Sequence, residues 1–169
     1  MNKFYFDEKA ADKAIGFIET FVTHTKGELT GKPLKLEKWQ SKIVGDIFGW
    51  KNKKTNLRKY RTVFIEVPRK NGKSTLCAAI GLYMLFADEE RGSEVYSAAG
   101  DRQQAGIVFE IAKGMILQSP ELSERGKVFR NSIVNESKGN FYQAISSDSK
   151  TKHGFNANCI IFDELHTQP

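Results

Sequence analysis

Two short stretches of this 169-residue chain carry residue types that could together handle a triphosphate. The first, Val67-Pro68-Arg69-Lys70-Asn71-Gly72-Lys73-Ser74, meets the G-x-x-x-x-G-K-[ST] pattern of a phosphate-binding (Walker A) loop at every required position but the first, where Val67 stands for Gly. Such a loop cradles phosphates with backbone N–H groups at a helix N-terminus. In it Gly72 lets the chain pass close to the phosphates, Lys73 faces the β- and γ-oxygens, and the Ser74 hydroxyl ligates Mg²⁺. The leading Gly chiefly eases the turn out of a strand, so another residue suits that position where its backbone angles are ordinary. The second stretch, Cys159-Ile160-Ile161-Phe162-Asp163-Glu164, is an apolar run that ends in paired acids, Asp163 standing ninety residues after Lys73. In P-loop ATPase chemistry the first carboxylate holds Mg²⁺ through its water shell, and the second orients and deprotonates the attacking water. The two must leave one strand end side by side.

An α/β sheet would bring both stretches to one edge. The hydrophobic pattern predicts a strand over Thr62–Val67, a helix over Ser74–Phe86, a strand over Glu94–Ala98 and a helix over Asp101–Leu117. β-like runs follow over Lys127–Val134 and Asn140–Ser146, then the polar stretch 147–158. The unbroken run Cys159–Phe162 reads as a central parallel strand buried on both faces. Two one-faced helices, Asp7–His24 and Glu37–Trp50, lead in, separated by a stretch broken by Gly27, Gly31 and Pro33. Gln40, near the start of the second helix, has an amide that can pair with adenine N6 and N7, which would favour ATP over GTP. Segment 51–61, with six basic residues and little apolar content, reads as a loop.

Composition bounds the rest. A chain of this length that is 40% hydrophobic can bury one core, so one domain is expected over residues 1–169, with 1–60 as a helical lead-in and adenine-side segment and 61–169 as the core. A net charge of +6 favours polyanionic partners in general. Cys77 and Cys159 each sit in an apolar run, which speaks for reduced core thiols and against a disulfide framework or a zinc site. The N-terminus carries acids where a signal peptide would be apolar, and no run nears 18 apolar residues, so a soluble, intracellular protein with no membrane partner is expected.

In their order, "LEKWQ", "PRKNGKST", "VYSAAGDRQQAGIVFE" and "IIFDELHTQ" resemble the ATPase half of the large terminase subunit of tailed double-stranded DNA phages, from about residue 30 to the last. Arg-Lys-Asn-Gly-Lys-Ser is the most specific element, a loop variant in which the missing first Gly is usual. The resemblance implies a three-layer α/β fold of the ASCE-type P-loop NTPases, with a mostly parallel sheet carrying helices on both faces. It also implies an ATP- and Mg²⁺-dependent motor that acts as a ring of subunits on the portal protein, with the small terminase subunit as partner, and packages double-stranded DNA in the host cytoplasm. Nucleotide contacts would come from Gln40, Arg69, Lys70, Asn71, Gly72, Lys73, Ser74 and Thr75, and the metal would be held by Ser74 and Asp163. Glu164 would be the catalytic base, and either Arg69 within its own subunit or Arg102 from a neighbour would meet the transition-state charge. Segment 51–61 would face DNA or a neighbouring subunit, or be merely solvated. His153 and Gly154 fall in a stretch that could form a lid, and His166 could sense the nucleotide. The family's nuclease domain and its coupling segment find no counterpart in these residues, so a C-terminally truncated ATPase with weak hydrolysis is expected. Two alternatives remain: a helicase-type ATPase, which would separate strands, and a truncated assembly module without turnover.

Overall fold

The computed structural model describes residues 2–99, 102–146 and 156–163, and of residues 99, 102–105 and 146 the backbone alone. The chain begins with the short strand β1 (Phe4–Phe6) and helix α1 (Glu8–Phe21), whose N-cap Asp7 accepts a hydrogen bond from the Ala10 backbone N–H at 3.1 Å. Ala11, Ala14, Phe17 and Ile18 recur at helical spacing and form its buried face. Helix α2 (Lys38–Gly49) opens on a reciprocal cap between Glu37 and Gln40, and its Gly45 lies against Ala11 and Ile15 of α1. Strand β2 (Trp50–Asn52) then returns antiparallel to β1. The β1–β2 ribbon corrects the expectation of a plain loop from residue 51.

Helix α3 (Lys73–Phe86) is apolar on nearly every side because it is covered on nearly every side. Phe17 of α1 and Phe48 of α2 meet the Tyr83 ring edge-on, at 5.6 and 4.5 Å between centroids, and the opposite side of α3 lies on the sheet. Strand β3 (Glu94–Ala99), helices α4 (Arg102–Gln118) and α5 (Pro120–Arg125), and strands β4 (Lys127–Val128), β5 (Ser132–Asn135), β6 (Asn140–Ser146) and β7 (Ala157–Phe162) complete the described chain. The five-stranded sheet has the order β4-β5-β6-β3-β7. β3 runs parallel to β6 and β7, whereas β5 runs antiparallel to β4 and β6.

The sheet is therefore mixed rather than mostly parallel. Residues 136–139 join β5 to β6 through a turn with Gly139 at φ +68°, too short for the crossover that a parallel pair needs. Val95, Tyr142 and Cys159 lie in register across β3, β6 and β7, and Phe109 of α4 and Gly81 of α3 contact Tyr142 on that face. Helices α3 and α4 both pack on that face. β7 ends the strand order and leaves Ile160 and Phe162 exposed at 49% and 54%, which corrects the expectation of a strand buried on both faces. Nor does Thr62–Val67 form the expected strand: it is irregular, with Val63 and Phe64 exposed at 45% and 72%. An extended, β-branched run becomes a strand only where a sheet edge pairs with its backbone, and no described strand pairs with this one.

Buried amides tie the far end of α3 to the sheet. Asn140 donates from Nδ2 to the carbonyls of Leu85 (3.0 Å) and Glu90 (3.2 Å), while its Oδ1 accepts from the Ser93 N–H at 2.9 Å. Gly81 sits at the closest approach of α3 to the sheet. A Cβ there would stand 3.0 Å from the Tyr142 ring and 3.1 Å from Ile161, and Tyr142 is fully buried and hydrogen-bonded to Ser97. Gly81→Val is thus expected to cost about 1–3 kcal/mol by overpacking and to lower the melting temperature by several degrees, at roughly 2–4 °C per kcal/mol for a chain of this size. A thermal melt unchanged from wild type would show that α3 and β6 are not locked together at this point. Among the described residues no helix is long and apolar enough to cross a membrane, and Cys77 and Cys159 are free thiols.

Candidate nucleotide site

The loop before α3 has a backbone suited to anions. Lys70 has φ +68° and Gly72 φ +72°, while the intervening Asn71 keeps a negative φ. Backbone of alternating hand turns successive N–H groups towards one side, the concavity that binds phosphate oxygens. Asn71 closes the loop on itself, donating from Nδ2 to the Pro68 carbonyl at 3.1 Å and the Arg69 carbonyl at 3.4 Å. Gly72 is the N-cap of α3 and accepts at its carbonyl from the Leu76 N–H at 2.9 Å, so the helix and its dipole start directly behind the loop. A left-handed lysine carries strain of order 1 kcal/mol that a glycine would not.

Three of the expected residues meet at the mouth of this loop. Asp163 follows the C-terminal end of β7, and its Oδ2 accepts from the Ser74 hydroxyl at 2.6 Å while its Oδ1 lies 3.3 Å from Lys73 Nζ. The Asp163 side chain is only 7% exposed, against 28% for Lys73. A carboxylate so enclosed needs both a counter-charge and a hydroxyl to offset its lost hydration, and it has both. One turn into the helix, burial pushes the Cys77 thiol up to about 12, with the Asp163 charge adding to the effect. Burial likewise raises the Cys159 thiol to about 11, so neither cysteine is a nucleophile at neutral pH.

Gln40 is buried beside the loop, and its Nε2 lies 3.6 Å from where a Cβ on Gly72 would stand. Its Oε1 already accepts from the Glu37 N–H at 2.9 Å, which commits half of the amide to the cap of α2. That double use is not legible in a lone Gln. Arg69, Lys70 and Asn71 are exposed at the loop tip, and Thr75 is half-buried behind Ser74. Arg102 opens α4 just beyond the C-terminal end of β3, the strand that pairs with β7, and its side chain lies outside the described residues. Glu164, His153, Gly154 and His166 also lie outside the described residues.

For a divalent cation the described residues offer the Ser74 hydroxyl and the Asp163 carboxylate, both hard oxygen donors within 2.6 Å of each other. This suits Mg²⁺, which keeps most of its water and takes its remaining ligands from phosphate, rather than a metal that needs an all-protein cage. No group of three or more His, Cys, Asp or Glu ligands occurs among the described residues.

Comparison with known proteins places this arrangement in context. The family model for the terminase large subunit ATPase domain matches residues 38–169. The chain is 31% identical over 160 residues to the terminase large subunit of Enterobacteria phage HK97, and 26% identical over 178 residues to the terminase large subunit of Lactococcus phage SK1. These alignments cover 90% and 98% of this chain, but only 30% and 32% of the relatives. The crystal structure of the HK97 bacteriophage large terminase superposes with a TM-score of 0.77 at 26% identity, over 93% of this chain and 31% of that one. The chain thus spans about a third of the length of the relatives it matches.

Proposed function

Because the chain belongs to the family of terminase large-subunit ATPase domains, we propose that it binds ATP with Mg²⁺ in the loop 67–75 and hydrolyses it to move double-stranded DNA into a procapsid. The observation that carries this reading is the junction of Lys73, Ser74 and Asp163, ninety residues apart in sequence and within 3.3 Å in space. Lys73 and the N–H groups of the loop bind the β- and γ-phosphates. Ser74 and Asp163 would hold Mg²⁺, which supplies charge neutralisation on the phosphoryl oxygens when bound. Glu164, next in sequence, orients and deprotonates the attacking water. Gln40 braces Gly72 and presents Nε2 on the side from which the nucleotide enters.

The transition-state cation comes from Arg69 in the loop or from Arg102 of a neighbouring subunit. In this reading residues 1–169 act as one ATPase domain within a ring seated on a portal protein, with a small terminase subunit delivering the DNA, in the cytoplasm of the host. The family match weighs for packaging over the strand separation of a helicase.

Binding of a fluorescent ATP analogue with Mg²⁺ or with EDTA tests the site. Mg²⁺ should tighten binding to the wild-type chain, and Asp163→Asn should abolish that gain, a difference of about 10- to 100-fold if one charge-assisted contact is worth ~1.5–3 kcal/mol. Binding in EDTA should persist in the variant, since Lys73 is released from its carboxylate partner. A full Mg²⁺ effect in Asp163→Asn would overturn the metal assignment.

A further inference from the structure

We propose that the β1–β2 ribbon and the turn after it form a contact surface for the phosphate backbone of double-stranded DNA, separate from the nucleotide site. This rests on the motor reading for the identity of the duplex, but its evidence lies elsewhere in the molecule. Residues 2–6 and 50–61 carry seven Lys and Arg and no Asp or Glu. The seven divide into two groups. Lys51 pairs with Asp7 at 2.9 Å, Arg58 pairs with Asp88 at 3.0 Å and lies 5.6 Å over Phe48, and Lys59 is held by Trp50, Tyr60 and Phe4 at 4.9, 4.8 and 5.2 Å. Lys51 and Arg58 fasten the ribbon to the domain, and Lys59 packs on the ribbon's own rings, where Lys3 Nζ also lies 5.9 Å from the Phe4 centroid.

The other four, Lys3, Lys53, Lys54 and Arg61, are exposed and form no ion pair among the described residues. The backbone that carries them is well determined by local bonds. Lys53 N–H donates to the Lys3 carbonyl at 3.1 Å, Asn52 Oδ1 accepts from Lys54 N–H at 2.9 Å, and the Tyr5 hydroxyl donates to Asn56 Oδ1 at 2.6 Å, with Asn56 itself left-handed at φ +57°. Lys59 N–H returns to the Trp50 carbonyl at 2.8 Å, so the chain runs back along β2 and Arg61 follows two residues later, past the Trp50 end of the ribbon. Like charges held together on an ordered support repel one another, and a polyanion relieves that repulsion. A regularly charged backbone suits such a surface without any pocket for side chains or bases, so the contact is independent of sequence.

Position supports the same division of labour. Gln40, at the N-terminal end of α2, adjoins the phosphate loop, whereas Trp50 directly follows the C-terminal end of the same helix. Ten helical rises of ~1.5 Å, from Gln40 to Trp50, separate the ribbon from the phosphate loop by roughly 15 Å. Phosphates bound to the ribbon therefore leave the ATP site accessible. The structure also corrects the simplest reading of the basic segment: Arg58 is an internal strut, and Lys3, remote in sequence, belongs to the surface.

The test is fluorescence anisotropy of a 30-base-pair duplex of arbitrary sequence, titrated with the chain across a salt series. The variant Lys3→Gln/Lys53→Gln/Lys54→Gln/Arg61→Gln should lower the slope of log affinity against log salt by about 2 to 4, at ~0.9 for each phosphate that is no longer neutralised. It should also weaken binding at low salt at least tenfold while keeping the wild-type melting temperature and ATP-analogue affinity. A control variant that neutralises Lys26, Lys32, Arg91 and Arg130, all exposed elsewhere, should change the slope by less than 1. An unchanged slope in the ribbon variant, an equal loss in the control, or polyglutamate binding that depends on the ribbon as duplex binding does would each overturn the proposal. Loss of ATP binding in Lys73→Ala with no change in duplex affinity leaves the ribbon standing. Ribbon-dependent duplex binding by a chain that never binds ATP would instead sink the motor reading alone.

Discussion

The Lys73→Ala chain is expected to lose ATP binding by about 10²- to 10⁴-fold, the equivalent of two charge-assisted contacts at ~1.5–3 kcal/mol each. Lys73 is the first residue of α3, and its ammonium reaches the loop mouth within 3.3 Å of Asp163. Among the loop's basic side chains it is the half-buried one, since Arg69 and Lys70 are both exposed. The substitution also leaves an enclosed carboxylate with the Ser74 hydroxyl as its remaining partner of the two, so some loss of stability should accompany it. A melt recorded beside the titration separates the two effects. A folded Lys73→Ala chain that still binds ATP with wild-type affinity would remove the phosphate-loop assignment.

Glu164→Gln should do the opposite, leaving nucleotide and Mg²⁺ binding near wild type and slowing hydrolysis by about 10²- to 10⁴-fold, the worth of a positioned general base. Gln keeps the size and hydrogen-bonding reach of the side chain but cannot accept the proton of the attacking water. Single-turnover hydrolysis at high protein concentration is the right measurement, because a finger from a neighbouring subunit, if Arg102 is that finger, would contribute only when chains associate. If binding and turnover fall together, Glu164 is a metal ligand; if neither falls, the base is another residue.

Much of the site was legible because its signals are local. The run from Gly72 to Phe86 announces a helix with a Gly-Lys-Ser start, and Cys159–Phe162 is apolar up to the acid that follows, so Lys73, Ser74 and Asp163 pair on sequence grounds alone. What escaped depends on distant partners. Thr62–Val67 has the composition of a strand, yet a strand exists only through its neighbour's backbone, and composition does not say whether a neighbour is there. The β1–β2 ribbon has strands of three residues whose partners lie 44 to 48 positions away, below the length at which alternation can be read. Helix α5 was within reach, since Ser119 caps it and Pro120 occupies its first turn, a pairing of residue types that marks a helix start. The antiparallel β5–β6 pair was likewise signalled by the short turn ending in Gly139.

The contact of Asp163 with both Lys73 and Ser74 has a bearing on selectivity. Any anion that approaches Lys73 competes with a carboxylate already beside it, and drawing Lys73 away removes a counter-charge from a carboxylate that is 93% shielded from solvent, the complement of its 7% exposure. Sulfate or orthophosphate brings nothing to replace that counter-charge, so either should be a poor competitor at ordinary buffer concentrations. A triphosphate that arrives with its own divalent cation supplies a new partner for Asp163 in the same event that draws Lys73 towards the phosphates. On the proposed reading the loop would screen its ligands by charge balance before shape, rejecting the bare anions that crowd a cell and accepting the one that travels with its counter-ion.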